Sequence, residues 1–396
     1  MPDRGNMARA AAATAKWAKK SEGDPRMSAI LSIARSEPGI PVLPDALDRD
    51  PMLLNCKNGT LDLRTGELRP HRREDLITKC VSVEYDPTAE CRVWLAFLDK
   101  IMGGKSDMVA FLQRAVGYSL TGSIREQCLF LLHGTGSNGK STYLEVLREL
   151  LADYCEQTDF ATFLEKKNDQ IRNDVARLRG ARFVSAVEVA EARRLDEALI
   201  KSVTGGDTVT ARFLYGEFFE FVPAFKLWLA ANHKPVIRGT DHAIWRRVRL
   251  VPFTVTIPDE EQDKDLPAKL KAELPGILRW AVEGCLAWQR DGLRPPEEVI
   301  KATASYREEN DIVGQFVTEN CIVSSGSKAT AKALYAAYVA WADANGERPM
   351  TQNAFGRRLA ERGFERKKSG GIWWHGIELL EASAPTDHGS REPDPF

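Results

Sequence analysis

Apolar positions follow a distinctive pattern in the middle of this 396-residue chain. Between residues 123 and 257, near-continuous apolar runs alternate with segments whose apolar residues recur at helical spacing. The runs that we interpret as strands are CLFLLHG, ARFVSAVE and FKLWLAAN. Unbroken apolar strands are typical of a parallel sheet covered on both faces, and their alternation with helices favours an α/β fold. The charged, helical segment 258–312 completes the expected domain 123–312.

The preceding segment, 51–122, has a different pattern. Short apolar runs are separated by the turn signals NGT and RTGE, and two helical patterns then end at glycines. This predicts a small α+β module that is mostly helical at its end. Residues 1–50 are weakly patterned, and we expect a linker or disordered arm there, with one short helix near Met27 to Ala34.

A third pattern begins near residue 313. An amphipathic helix ends at Asn-Gly, a second helix runs from the N-cap Thr351 to the stop Gly363, and a hairpin surrounds SGG at 369–371. This predicts a separate small domain at 313–381, followed by a tail at 382–396.

Composition narrows the class of protein. The chain is 43% hydrophobic and 28% charged with a formal net charge of −1, which predicts a globular protein and excludes a wholly basic nucleic-acid coat protein, but not a local basic groove. Its seven cysteines show no zinc-finger spacing, so we expect reduced thiols. With no apolar run of about 20 residues and no signal peptide, we expect a cytoplasmic protein without a membrane partner.

The most specific motif follows the first candidate strand. GTGSNGKS matches the phosphate-loop pattern GxxxxGK[ST] between a strand and a helix. The predicted nucleotide-binding residues are Gly134, Thr135, Gly136, Ser137, Asn138, Gly139, Lys140, Ser141 and Thr142. Lys140 is expected to reach the β- and γ-phosphates of ATP, and Ser141 to coordinate Mg²⁺.

The next two strands end in candidate catalytic residues. Glu188 follows ARFVSAV and is the predicted acid for Mg²⁺ or water, with Glu191 in support. The alternative is a solvated glutamate at a strand end. Asn232 ends the third strand and could sense the γ-phosphate or orient water; the alternative is a turn-forming asparagine.

Two further features extend the hypothesis beyond nucleotide binding. Arg246 and Arg247 are candidate arginine fingers acting on a neighbouring subunit, unless they form a surface basic cluster. A hairpin inserted between Glu188 and Asn232 carries Arg212 and Tyr215, a cation and an aromatic ring that suit a nucleic-acid strand. The alternative is an ordinary structural hairpin.

These pieces occur in the order found in one family. The phosphate loop, VSAVEVAE, GGDTVTARFLYGEFFEF, KLWLAANHKP and RGTDHAIWRRVRLVPF together resemble a superfamily 3 helicase of the AAA+ class, of the phage/plasmid primase–helicase type that includes satellite-phage and poxvirus members. The resemblance covers roughly residues 50–380. It implies a homo-oligomeric ring, usually a hexamer, that uses ATP and Mg²⁺ to move 3′ to 5′ on single-stranded DNA.

The resemblance also implies roles for the ends of the chain. It makes the C-terminal unit a winged-helix domain, whose basic residues Arg357, Arg358, Lys367 and Lys368 would contact duplex DNA; a solvated face on a helix pair that aids assembly is the alternative. Two departures stand out. Val189 follows Glu188 where many members have a second acid, which leaves the roles of Glu188 and Glu191 open. The first fifty residues are too few and too weakly patterned for the primase domain of full-length relatives, so a helicase without primase, a natural short form and a fragment all stay open.

The leading hypothesis is therefore an ATP-dependent DNA helicase for a phage, plasmid or integrated mobile element in a bacterial host. Its expected partners are single-stranded and forked DNA, further copies of itself, and a separate primase or polymerase. Two rivals stay open: an AAA+ loading or assembly factor that uses ATP as a switch without unwinding, and a small-molecule kinase.

Overall fold

The computed structural model describes residues 4–166, 173–187, 193–239, 242–347 and 349–380. Its helices are α1 (Arg4–Ser21), α2 (Asp24–Ala34), α3 (Arg92–Ile101), α4 (Ser106–Leu120), α5 (Lys140–Leu151), α6 (Asn173–Ala176), α7 (Glu197–Gly205), α8 (His242–Trp245), α9 (Leu266–Ala272), α10 (Leu274–Asp291), α11 (Glu297–Glu309), α12 (Ile312–Asn320), α13 (Ala331–Ala344) and α14 (Gln352–Glu361). Its strands are β1 (Leu53–Cys56), β2 (Gly59–Asp62), β3 (Glu67–Arg69), β4 (Leu129–His133), β5 (Cys155–Asp159), β6 (Phe183–Val187), β7 (Val209–Arg212), β8 (Phe218–Phe221), β9 (Lys226–Ala231), β10 (Val248–Pro252), β11 (Cys321–Thr330), β12 (Glu365–Lys368) and β13 (Ile372–Leu379).

A parallel sheet forms the centre of the molecule. Within the described residues its five strands lie in the order β10-β4-β9-β6-β5. Every residue of β9 is buried, because helices cover both faces of the sheet. The strands predicted from CLFLLHG, ARFVSAVE and FKLWLAAN are confirmed as β4, β6 and β9, and so is the predicted α/β class. Since these strands are parallel, their carboxyl ends meet at one edge.

One face of the sheet shares its core with the α+β module. The Trp94 ring lies 5.6 Å from the rings of Tyr143 in α5 and Trp280 in α10. Helices α4 and α10 pack with their backbones in contact, since a Cβ on Gly117 or Gly284 would lie about 2 Å from backbone atoms of the opposite helix. One hydrophobic core therefore continues across the predicted domain boundary at residue 122. Sequence spacing could not reveal this continuity, which arises from tertiary packing.

Two buried basic side chains join this module to the sheet. The Lys226 side-chain nitrogen is within hydrogen-bond distance of the carbonyls of Thr121, Ser123 and Ala224. The Arg182 guanidinium donates to the carbonyl of Leu120 at 2.8 Å and to that of Leu53. The carbonyls at the end of α4 have no partners within the helix, so they are available to accept from these side chains.

The C-terminal unit has its own core. Helices α12, α13 and α14 pack on an antiparallel sheet of order β11-β13-β12. Phe355 and Leu359 of α14 are buried in it, four residues apart as expected. The hairpin between β12 and β13 turns at 369–371, where its Ser-Gly-Gly was predicted.

The N-terminal segment is more helical than expected. The short helix expected near Met27 to Ala34 lies within α2. Helix α1 (Arg4–Ser21) stands where a linker or disordered arm was expected, because its alanine-rich sequence has high helix propensity. No residue of α2 is buried.

Among the described residues, no helix combines the length and the apolar character needed to cross a membrane.

Candidate nucleotide-binding site

The phosphate loop leaves β4 and ends where α5 begins at Lys140. Gly139 has φ 82°, a left-handed conformation that glycine adopts without strain. At Gly134, a Cβ would lie 2.1 Å from the carbonyl oxygen of Phe253. Gly139 is therefore required by the backbone conformation of the turn, and Gly134 by the close approach of the chain after β10. The motif lies between a strand and a helix, as a phosphate loop does.

Lys140 is the centre of the loop's contacts. Its side-chain nitrogen donates to the carbonyl of Gly134, to Asn138 Oδ1 at 3.1 Å and to Asn232 Oδ1 at 3.2 Å. Burial lowers the pKa of the Lys140 ammonium. The loop thus holds a desolvated cation whose partners are oxygen atoms, an arrangement ready to exchange them for phosphate oxygens.

A cleft of about 260 Å³ lies over this lysine. It is lined by the loop from Gly136 to Thr142 together with Val187, Ala230 and Asn232. Asn232 is exposed, as a residue that meets a ligand must be. The structure therefore brings the ends of β4, β6 and β9 together at one cleft.

The predicted metal ligands are only partly described. Ser141 is exposed in the cleft, where its hydroxyl oxygen suits Mg²⁺. Glu188 and Glu191 lie outside the described residues, although Val187, which precedes Glu188, lines the cleft. Within the described ranges, no group of three or more His, Cys, Asp or Glu side chains could hold a metal ion.

The two candidate finger arginines have opposite environments. Arg247 is only 6% exposed, and its guanidinium donates to Thr204 Oγ1 and to the carbonyl of Ala243. These contacts direct the guanidinium into the core of its own subunit, so they favour Arg246 over Arg247 as the candidate finger. Arg246 is exposed and donates to Gln127 Oε1 at 3.1 Å.

The inserted hairpin is anchored at its base and exposed at its tip. Val209 and Phe221 are paired and buried, whereas Tyr215 is 99% exposed at φ 63°. The Arg212 guanidinium lies 4.6 Å from the centre of the Phe218 ring, on the opposite strand. Phe218 is itself exposed. Sequence reasoning missed Phe218, although its place directly across from Arg212 in the hairpin register could have identified it.

The basic residues of the C-terminal unit divide into two groups. Arg357 and Lys368 are exposed, and Lys367 forms an ion pair with Glu365 at 3.0 Å. Arg358 instead donates to the carbonyl of Arg238 at 2.7 Å and pairs with Glu361. Arg358 thus links the C-terminal unit to the chain after β9, while its expected contact with duplex DNA stays a prediction.

Sequence reasoning also missed the importance of Lys234. Its ammonium lies 2.7 and 2.8 Å from the two carboxylate oxygens of Glu309 in α11. Lys234 lies two residues after Asn232 in the sequence. The acidic residues at the end of α11 could have indicated where its partner lies. The pair connects the cleft to the helix that leads into the C-terminal unit.

Three family models match segments of the chain. Residues 4–103 match "D5 N terminal like", residues 132–247 match a family of unknown function (DUF5906), and residues 308–373 match "Poxvirus D5 protein-like". The match to residues 4–103 includes the segment that we had expected to be a linker.

Several curated viral proteins named as putative helicases or primases are similar in sequence to this chain. A "Putative helicase" of Acanthamoeba polyphaga mimivirus is 27% identical over 71% of this chain and 32% of its own length. A "Putative helicase" of Frog virus 3 is 26% identical over 77% of this chain and 40% of its own length. A "Putative primase" of African swine fever virus is 24% identical over 76% of this chain and 34% of its own length. The chain thus spans about a third of the length of these relatives.

Among solved structures, the apo structure of the NrS-1 C terminal region is similar, with a TM-score of 0.45 and 13% identity over 74% of this chain and 77% of that one. The family models and curated relatives confirm the resemblance predicted from the motifs, to primase–helicases of the poxvirus D5 type.

Proposed function

We propose that this chain, with its D5 N-terminal-like and poxvirus D5-like segments, is the ATP-hydrolysing motor of a DNA helicase. The observation that carries the proposal is the meeting of the phosphate loop, the end of β6 and Asn232 at one cleft, with Lys140 bonded to Asn232. The helicase-type relatives support it at the level of family. We infer that this motor acts in the replication of a phage, plasmid or integrated mobile element.

The residues of the cleft divide the chemistry among them. Lys140 and the backbone N–H groups of the loop hold the phosphates, with the help of the positive pole of α5. Ser141 and Glu188 would hold Mg²⁺, which neutralises charge on the phosphate oxygens. Glu188, supported by Glu191, prepares the attacking water, and the Asn232 amide orients it.

The position of Arg246 supports the proposal that copies of the chain assemble into a ring. It precedes β10 and bonds to Gln127, which precedes β4, so it lies at the amino end of the sheet. The phosphate loop follows the carboxyl end of β4, a five-residue strand that spans about 16 Å at the usual rise per residue. Arg246 therefore cannot serve its own cleft, and we infer that it completes the site of the next copy.

The hairpin is the part of the motor that holds DNA. Its tip presents Tyr215 and Phe218 to solvent beside the Arg212 cation, a combination that stacks on bases and meets phosphates. Exposed Arg357 and Lys368 would meet the duplex arm of a fork. We take the hexameric ring and 3′-to-5′ movement from the family resemblance.

The test compares wild type with Lys140→Ala in ATPase and strand-displacement assays, using forked DNA with a 3′ or a 5′ single-stranded arm. We expect DNA-stimulated hydrolysis and displacement by wild type alone, with a preference for the 3′ arm. Lys301→Ala, which removes an exposed lysine from α11, is the matched control. Displacement that persists in Lys140→Ala would contradict the proposal, and DNA-stimulated ATPase without displacement would favour the loading-factor alternative.

A further inference from the structure

A second cleft lies on the other side of the phosphate loop. It has a volume of about 440 Å³ and is enclosed by α3, the start of α5 and the segment 257–267. Ser137, Gly139 and Thr142 line both this cleft and the phosphate cleft. The phosphate loop therefore separates the phosphate cleft from this second cleft.

Helix α3 of the N-terminal module packs directly on the loop. A Cβ on Gly139 would lie 2.6 Å from Ile101 Cγ2 and 3.1 Å from the Phe97 ring. The segment after β10 holds the loop from the opposite side, since the Ile257 N–H donates to the carbonyl of Ser137 at 2.7 Å. The position of the loop thus depends on both walls of the second cleft.

The chemistry of this cleft differs from that of the phosphate site. Phe97, Ile257, Leu266 and Pro267 give it apolar and aromatic walls. Polar groups stand among the lining residues: Lys100 pairs with Glu261 at 2.9 Å, and the Gln262 amide donates to the carbonyl of Ile257 at 3.2 Å. Asp263 and Lys264 also line the cleft, so an apolar and aromatic face stands beside charged and hydrogen-bonding groups. Such a slot suits a flat ring system with polar edges better than a bare phosphate.

We propose that this cleft is the nucleoside subsite, which takes the purine base and ribose of the nucleotide whose phosphates lie on the loop. The proposal rests on the proposed function and deepens it. The nucleotide passes Thr142, which lines both clefts, so one ligand spans them. The module that precedes the ATPase core is then part of the nucleotide site, and Phe97 supplies the ring that contacts the base.

Ala96 offers a way to block the subsite without disturbing the core. It lines the cleft from α3 and is exposed, so a tryptophan there would fill the space from its open side. Leu95→Trp places the same ring one residue earlier, at an exposed position outside the cleft lining, and is the matched control. Phe97→Leu is a second variant, which removes the aromatic face and keeps most of the apolar volume.

The experiment titrates each full-length protein with Mg-ATP and with Mg-tripolyphosphate in a calorimeter. Tripolyphosphate has the phosphates without the nucleoside, so it reports the loop alone. We expect Ala96→Trp to weaken ATP binding at least about tenfold with tripolyphosphate binding unchanged. Phe97→Leu should weaken ATP binding a few-fold and more than it weakens tripolyphosphate binding, because the Phe97 ring also packs on Gly139 of the loop. Leu95→Trp should bind both probes as wild type does.

Three results would overturn the subsite. Equal ATP affinity in Ala96→Trp and Leu95→Trp would place the nucleoside elsewhere and leave the proposed function intact. Equal losses for ATP and tripolyphosphate in Ala96→Trp would mean that the substitution acts on the loop rather than on the base. Wild-type protein that binds neither probe would reject the proposed function together with the subsite.

Discussion

The Lys140 ammonium lies 3.2 Å from Asn232 Oδ1, so a hydrogen bond joins the phosphate-loop lysine to the residue after β9. With its bonds to Gly134 and Asn138, Lys140 uses all three of its donors within the protein. A γ-phosphate competes for the same donors. Binding of ATP should therefore release the Asn232 amide to meet the phosphate or the attacking water.

We predict that Asn232→Ala slows hydrolysis more than it weakens binding. Removal of one orienting group usually costs about 10²–10³-fold in turnover. ATP affinity should change only a few-fold, since the loop is unaltered. Steady-state ATPase and calorimetric titration measure the two quantities, and an unchanged melting temperature verifies the fold because Asn232 is exposed. Wild-type turnover would remove Asn232 from the mechanism.

The chain after Asn232 contacts the moving parts of the proposed motor. Besides the pair between Lys234 and Glu309, the Gly239 N–H donates to the Glu197 carboxylate at 2.6 Å, in the helix that leads to the hairpin. The carbonyl of Arg238 accepts from Arg358 of the C-terminal unit. One short segment therefore links the cleft to the helix before the hairpin and to the C-terminal unit.

Lys234→Ala should uncouple DNA binding from hydrolysis. We expect the basal ATPase to stay within about twofold, because Lys234 does not line the cleft, and DNA stimulation to fall several-fold. An ion pair that is partly exposed contributes only up to about 1 kcal/mol, so stability should hardly change. Lys301→Ala, which breaks the exposed pair with Glu297 on the same helix as Glu309, should leave stimulation intact. Full stimulation in Lys234→Ala would contradict the coupling.

Sequence patterns were sufficient for β4, β6, β9 and the phosphate loop, because apolar runs and glycine spacing are local properties. They did not predict β5, whose sequence CEQTD is largely polar. They could not separate Arg246 from Arg247, because the burial of Arg247 depends on Thr204, which is 43 residues away. Nor could they indicate that Lys226, the first residue of an apolar strand, is fully enclosed by carbonyls from the end of α4. Such contacts are set by tertiary packing, which a local pattern does not contain.

Arg246→Ala and Lys140→Ala should complement each other. Each variant alone is expected to lack ATPase activity, but mixed rings contain interfaces with an intact loop from one copy and an intact Arg246 from the next. Random mixing at equal amounts makes roughly a quarter of the interfaces competent, as follows from a head-to-tail ring. ATPase measured after coexpression tests this. No recovery, with mixed rings demonstrated by native mass, would argue against a finger in trans.

Arg247→Ala should behave differently. It leaves the buried Thr204 hydroxyl without this donor and opens a gap beside α7, so we expect a loss of about 1–3 kcal/mol in the free energy of unfolding. Thermal and denaturant unfolding measure it, with Arg246→Ala as the exposed control. Unaltered stability of Arg247→Ala would make this residue an equal candidate for the finger.

The hairpin tip can be tested without a cost in stability. Tyr215→Gly removes the exposed ring and relieves the left-handed backbone, which glycine adopts freely. Loss of one stacked base costs about 1–3 kcal/mol, or roughly 5- to 150-fold in affinity for single-stranded DNA. Fluorescence anisotropy with a labelled oligonucleotide measures this. Val222→Gly, at an exposed position beyond the end of β8, is the control, and equal affinities in both variants would move the DNA away from the tip.

Replacement of Lys226 by methionine tests the link between the N-terminal module and the sheet. Three carbonyls lose their common donor, so the variant should be less stable by about 1–3 kcal/mol at neutral pH. Burial, with a smaller contribution from Arg182, lowers the pKa of Lys226 well below its ordinary value of 10.5. Between these two values the unfolded chain binds one proton more than the folded chain, so wild-type stability rises with pH.

The methionine variant lacks this rise, so its deficit relative to wild type should grow with pH over the range between the lowered pKa of Lys226 and 10.5, by up to about 1.4 kcal/mol per pH unit. Urea unfolding at several pH values measures the difference. Lys271→Met, which alters an exposed lysine on α9, should show little deficit and no such trend. A deficit that stays constant up to pH 9 would mean that Lys226 is held as the charged ammonium, with its carbonyl partners outweighing the effect of burial.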